Sequence, residues 1–290
     1  MKKREYLFGL TFLAPAFVIY TVFVIFTVIL SLYYSMTEWT GIGSPAFSWF
    51  SNYQELVRDP EYWTVTKNSF ILVSLAILIQ NPLGLTLAFL ISRIGRGYRF
   101  FRSVIFLPVV VPIATTALLF SLMLNNDFGF FNNVLKSIGL GFLQSNWLTD
   151  PKIVIFSVAL PQVWQYLGIH FIIYLAAIQS IPQEIYDSAR IDGATSIQTM
   201  FRIIIPLLWD IIQIGIILNI TGSLKSFDMS WIMTWGGPGI SSAYISVLMF
   251  RHTFKGFNFS YGITIAMTIL IYSLFFTIIF KAFFSRREKE

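Results

Sequence analysis

Six long apolar runs limit what this chain can fold into. They cover about residues 7–34, 68–91, 103–124, 153–178, 206–226 and 261–284. Each reaches the roughly 20 residues that a helix needs to cross about 30 Å of hydrocarbon. No water reaches backbone N–H and C=O groups there, so each run must satisfy them internally, as a helix does. With 56% hydrophobic and 12% charged residues and a mean hydropathy of +0.71, the composition lies outside the range of soluble domains. The predicted fold is an all-α integral membrane protein with six transmembrane helices and one domain over residues 1–290. The first run begins with Lys2, Lys3 and Arg4, like a signal peptide. Its apolar stretch is too long for one and no small-residue cleavage site follows, so a retained span is expected.

The basic residues set the orientation. With the N-terminus inside, 13 of the 20 Lys and Arg fall on inner segments, among them Arg93, Arg96, Arg99, Arg102, Arg190, Arg202, Lys281, Arg286, Arg287 and Lys289. The 14 acids divide evenly, so the inner side carries the whole net charge of +6. That is the positive-inside bias, and six spans then place both termini in the cytoplasm. Six of the eight tryptophans lie beside the outer connections, where an interfacial belt is expected. The basic stretch 92–102 is accounted for by orientation, with contact to anionic lipid as a further use. The basic pI therefore reports topology, and nothing in the pattern points to nucleic acid.

Several chemistries are excluded. Cysteine is absent, which removes disulfides and thiolate metal sites. His170 and His252 are far apart, with no paired carboxylates near them, so no metal site is expected. No GxxxxGK[ST] loop is present, so the chain is expected to hydrolyse no ATP by itself. The outer connections, 35–67 and 125–152, are too small to form a receptor domain, so solute capture should fall to another protein. In the first of them, Ser51 and Gln54 suggest a capping box opening a short helix that stops at Asp59-Pro60. Lys225 and Asp228, three residues apart at the outer end of the fifth run, suggest an interfacial ion pair.

One inner connection is unlike the rest. Residues 180–206 read Ser-Ile-Pro-Gln-Glu-Ile-Tyr-Asp-Ser-Ala-Arg-Ile-Asp-Gly-Ala-Thr-Ser-Ile-Gln-Thr-Met-Phe-Arg-Ile-Ile-Ile-Pro. Ser180 and Gln183 suggest a capping box for a helix ending at about Ile191, with Pro182 tolerated in the first turn. Asp192-Gly193 should stop that helix, since Gly readily takes the left-handed conformation. Thr195 and Gln198 suggest a second box, opening a helix that leads through Pro206 into the fifth span. Ile185, Tyr186 and Ala189 form an apolar face flanked by Glu184, Asp187 and Arg190. Such a face suits a partner's groove, and it equally suits packing back on the spans.

This segment resembles the EAA loop of permease subunits in binding-protein-dependent ABC importers. That pattern runs Glu-Ala-Ala, three residues, Gly, nine residues, Ile-x-Leu-Pro. Here it reads Asp187-Ser188-Ala189, three residues, Gly193, nine residues, then Ile203-Ile204-Ile205-Pro206. Both spacings match; Asp replaces Glu, Ser the first Ala, and Ile the Leu. The flanking Ile-Pro-Gln-Glu-Ile-Tyr, together with Phe227-Asp228 and Met233-Thr-Trp-Gly-Gly-Pro238, is similar to the carbohydrate branch, the maltose and glycerol-phosphate type. Asn52-Tyr53 and Asp59-Pro60 are similar to one partner of the usual permease pair.

The resemblance implies a type I ABC importer permease fold in a bacterial or archaeal-type plasma membrane. It implies a second permease subunit, two ABC ATPase subunits carrying ATP and Mg, and an extracytoplasmic solute-binding protein, with no cofactor on this chain. It further implies that Glu184, Ile185, Tyr186, Asp187, Ser188, Ala189, Asp192, Gly193 and Pro206 couple the permease to its ATPase.

Polar groups within spans are costly and are functional candidates. Gln162, Gln165 and Tyr166, with Ile169, mark one face of the fourth span; Asn219, Ser223 and Ser226 mark one face of the fifth. Amides and hydroxyls beside an aromatic ring suit a neutral sugar, a di- or oligosaccharide rather than a phosphate ester. In similar permeases these faces line the central path; the competing reading is helix–helix hydrogen bonding. His170 is read as a packing residue. An ion-coupled secondary transporter would need acids deep in a span, and an intramembrane enzyme a catalytic constellation there; the sequence offers neither. Gly193→Asp is expected to leave the protein inserted but to abolish solute-stimulated ATP hydrolysis by the assembled transporter. Normal stimulation in that variant would remove the coupling role from this loop.

Overall fold

The computed structural model describes the backbone of residues 2–284 and the side chains of residues 11–282. Lys2, Lys3, Arg4, Arg286, Arg287 and Lys289, used above for orientation, therefore lie outside the described side chains. The helices are, in order, α1 (Thr11–Ser35), α2 (Ser51–Arg58), α3 (Pro60–Ser92), α4 (Tyr98–Val110), α5 (Ile113–Met123) and α6 (Phe130–Ser137). They continue with α7 (Val154–Gln179), α8 (Gln183–Ile191), α9 (Ser196–Leu207), α10 (Trp209–Leu224), α11 (Asp228–Thr234), α12 (Ile245–Phe250) and α13 (Phe259–Ala282). Among the described residues, α1, α3, α7 and α13 are each long and apolar enough to cross a membrane.

The third and fifth predicted spans are bent pairs instead of straight crossings. The helices α4 and α5 meet at 91°, and α9 and α10 at 75°. The first break follows from Val111-Pro112: a residue before proline is pushed out of the helical region, and Val111 has φ −70° and ψ 130°. The second lies at Leu208, two residues after Pro206, whose ring removes a helical donor. A π-turn over Met200–Ile204 directly precedes that proline.

The chain divides into two compact units. In the first, Met1–Tyr62 with Leu248–Leu270, polar side chains tie the end of α1 to α2 and α13. Asn52 Nδ2 donates to Ser35 O at 2.9 Å and Thr37 O at 2.7 Å, and Thr264 Oγ1 donates to Ser35 O at 3.1 Å. The predicted capping box at Ser51 does not form. The helix begins after Phe50, which makes no side-chain cap, and ends at Asp59, whose Oδ1 accepts Glu61 N at 2.8 Å.

In the second unit, Trp63–Val247 with Ile271–Glu290, α7 is the central mast. One apolar cluster joins Leu72, Ala117, Val158 and Met233; the other joins Leu85, Phe89, Phe171, Leu175, Ile204 and Leu208. Close approach depends on small residues, as in helix packing within lipid. A Cβ on Gly168 would stand 2.8 Å from Ile105 O of α4. One on Gly215 would strike the Tyr174 hydroxyl, which itself bonds to Asn81.

Candidate functional site

A cavity of about 350 Å³ opens among α3, α5, α7, α10 and the start of α11. That volume is within the roughly 300–1,000 Å³ typical of ligand pockets. A π-turn in α3, Ala76–Gln80, forms part of its wall. Three amides line it, and each commits one end to a neighbouring segment. Gln80 Nε2 donates to Val163 O at 2.9 Å, and Asn219 Nδ2 donates to Ala76 O at 3.2 Å. Gln162 Oε1 accepts from Ser226 Oγ at 2.6 Å. The other ends are the acceptors Gln80 Oε1 and Asn219 Oδ1 and the donor Gln162 Nε2, on residues that line the cavity. The Tyr166 and Ser223 hydroxyls line the same space. The cavity thus offers both donors and acceptors beside an aromatic ring and the apolar Leu72, Ile113 and Ile169.

Most of the predicted path residues meet here: Gln162, Tyr166, Ile169, Asn219, Ser223 and Ser226. Gln165 does not. It is 2% exposed and turned toward the break in the bent pair, where Nε2 donates to Val111 O at 2.8 Å. It answers a carbonyl left without a helical partner where Val111 turns extended before Pro112. His170, read as a packing residue with or without a hydrogen bond, bonds to Gly215 O through Nε2 at 3.2 Å and also lines the cavity.

The predicted Lys225–Asp228 ion pair is absent, since α10 ends at Leu224 and α11 starts at Asp228, which breaks the helical i, i+3 geometry. Both residues line the cavity instead. Gln80 was also missed, although a glutamine inside the second apolar run carried the same signal as Gln162.

The second candidate, the loop over residues 180–206, is built around a left-handed turn. Gly193 has φ +72°, Gly193 N donates to Arg190 O at 3.1 Å, and Ala194 N donates to Ala189 O at 2.9 Å. These two bonds close α8 with a Schellman motif. The Thr195–Gln198 capping box forms with both reciprocal bonds, 2.8 Å and 3.3 Å. The Ser180–Gln183 box does not: Ser180 Oγ bonds back to Ala177 O at 2.8 Å, and Gln183 reaches forward to Asp187.

The apolar face of α8 packs back onto the spans. Ala189 is buried, Ile185 is half-buried, and Tyr186 packs among the cluster around Ile178, its hydroxyl 3.4 Å from Ile178 O. Burial raises the Tyr186 phenol above its ordinary value, and the positive Arg93 partly opposes this. Outward face Glu184, Asp187, Ser188, Asp192 and Gly193, together with Ile191, which is 86% exposed. Pro206 is exposed in α9. Arg93, assigned above to orientation and to contact with anionic lipid, ties the loop to α3: Nη1 donates to Ser196 Oγ at 2.6 Å, with its guanidinium 4.2 Å from the Phe89 ring centroid.

Residues 80–289 match the family model described as the binding-protein-dependent transport system inner membrane component. The chain belongs to that family. A probable ABC transporter permease protein of Pyrococcus horikoshii is 38% identical, over 91% of this chain and 90% of its own length. The trehalose/maltose transport system permease protein MalF of Thermococcus litoralis is 31% identical, over 97% of this chain and 94% of its own. A solved bacterial alginate ABC transporter, crystallised with its alginate-bound periplasmic protein, contains a chain that superposes with a TM-score of 0.83 at 24% identity. That match covers 99% of this chain and 96% of the other, and it establishes the shared fold.

The two buried glutamines of α7 differ in what they do, which mutation can read. Gln165→Leu leaves Val111 O without its donor, at a cost of about 1–3 kcal/mol. The expected result is a lower melting temperature in detergent for Gln165→Leu. An unchanged melting temperature would show that Gln165 does not support the break.

Proposed function

We propose that this chain is one of two permease subunits of an ATP-driven sugar importer, forming half of the path for a di- or oligosaccharide. The observation that carries the reading is the cavity lined by three amides, each with one end held by a neighbouring segment. A sugar hydroxyl both donates and accepts, and its C–H faces favour aromatic and aliphatic walls; Gln162, Asn219, Ser223, Tyr166 and Ile169 offer that mixture. The Thermococcus litoralis relative, named for trehalose and maltose, supports the solute class.

In this reading the chain crosses the membrane six times, each bent pair counting as one crossing, and both termini lie in the cytoplasm. It is non-catalytic. Two ATPase subunits bind ATP and Mg, and an extracytoplasmic binding protein delivers solute. Residues 180–206 couple the permease to the ATPase: Glu184, Asp187, Ser188 and Asp192, with the exposed Ile191, meet the ATPase. Ile185, Tyr186 and Ala189 anchor the helix to the spans, so that it moves with them as a lever. Gly193 sets the corner, and the Pro206 segment joins the lever to α10.

Purification of the tagged chain from its host in mild detergent, followed by mass spectrometry, tests the assembly. A second permease and a P-loop ATPase are expected to accompany it. Recovery of this chain alone, active in ATP-free vesicles, would overturn the importer reading in favour of an ion-coupled transporter.

A further inference from the structure

We propose that Lys225 and Asp228 form a charge-balanced filter at one end of the cavity, selecting uncharged, hydroxyl-rich solutes and refusing ions of either sign. The proposal rests on reading the cavity as the solute path. Lys225 and Asp228 are the Lys and Asp among its lining residues; among the described residues no Arg or Glu lines it. Both are exposed, and they are not within ion-pair distance of each other.

Their mounting is firm. The junction between α10 and α11 is stapled at Ser226, which lies between them. Ser226 Oγ donates to Gln162 Oε1 at 2.6 Å, Ser226 N donates to Ser223 O at 3.1 Å, and Ser246 Oγ donates to Ser226 O. The ammonium and the carboxylate are thus carried by a backbone that is tied to α7.

The consequence for a solute follows from electrostatics in a space partly shielded from water. A neutral polyol can accept from the Lys225 ammonium and donate neighbouring hydroxyls to the Asp228 carboxylate. Charge-assisted bonds of this kind are shorter and stronger than neutral ones. An ion gains from one of the two groups and is repelled by the other, so little offsets the hydration it loses on entry. Removing either charge leaves a net field. Without Lys225 the cavity favours cations; without Asp228 it favours anions, acidic sugars included.

The chain contains no cysteine, so Ser223→Cys supplies its sole thiol, inside the cavity. Labelling is followed by mass spectrometry of this chain in open membrane fragments of the host, which give access from both sides. The probes are anionic (sulfonatoethyl), cationic (trimethylammonioethyl) and neutral (methyl) methanethiosulfonates. Each charged-reagent rate is divided by the neutral-reagent rate in the same membranes, which cancels differences in folding. Relative to Ser223→Cys alone, adding Lys225→Met is expected to shift the anion-to-cation ratio toward the cation by about tenfold, and adding Asp228→Asn by a similar factor toward the anion. The triple variant should return to the starting ratio. If Ser223→Cys reacts but neither change moves the ratio, the filter is overturned and the cavity reading stands. If no reagent reaches Ser223→Cys, the cavity reading fails and the filter fails with it.

Discussion

Side-chain amides bridging from one helix to the backbone of another are the interaction on which this architecture depends. Inside a bilayer a polar group has no water to turn to, so each one must find a protein partner or cost several kcal/mol. Gln80 reaches Val163 O, Asn219 reaches Ala76 O, and Gln165 reaches Val111 O at a proline break. An amide has a donor end and an acceptor end. Where such a bridge borders the cavity, using one end for structure leaves the other for a solute. In the proposed solute path, Gln80 and Asn219 serve both purposes at once. Packing and recognition, which the sequence presents as competing readings, become in that proposal two ends of one side chain.

The loop over residues 180–206 follows a similar logic with apolar groups. Tyr186 and Ala189 press α8 against the spans, the Schellman turn at Gly193 fixes its end, and Arg93 pins Ser196. In the proposed coupling role, a loop held this way passes force to α10 instead of bending. The exposed Ile191 is then the apolar residue of α8 available to a partner, rimmed by Glu184, Asp187 and Asp192. An amphipathic helix on a membrane protein has two apolar environments to choose between, and its periodicity alone does not say which one it takes.

Much was legible in the sequence. Apolar run length located the helices, because about 20 residues are dictated by bilayer thickness. Gly193 and the Thr195–Gln198 box were legible because their chemistry is local. The breaks at Val111-Pro112 and Leu208 were not read, although each lies near a proline, because hydropathy averages over a kink. Lys225 and Asp228 were misassigned because i, i+3 pairing presumes a continuous helix, and the helix stops between them. Gln165 was grouped with Gln162 on one helical face, as i, i+3 spacing dictates; the Val111 carbonyl at the break between α4 and α5 engages its amide instead.

The central claim is that the cavity among α3, α7 and α10 is where the solute rests in transit. It is tested most directly by electron cryomicroscopy of the transporter purified from its host. The complex would be supplied with its binding protein and the host's sugar pool, and held with the ATPase closed on a non-hydrolysable ATP analogue. The account predicts solute density in hydrogen-bond reach of Asn219 Oδ1 and Gln162 Nε2, stacked near the Tyr166 ring. Solute density elsewhere, or side chains of a partner subunit filling this cavity, would contradict it.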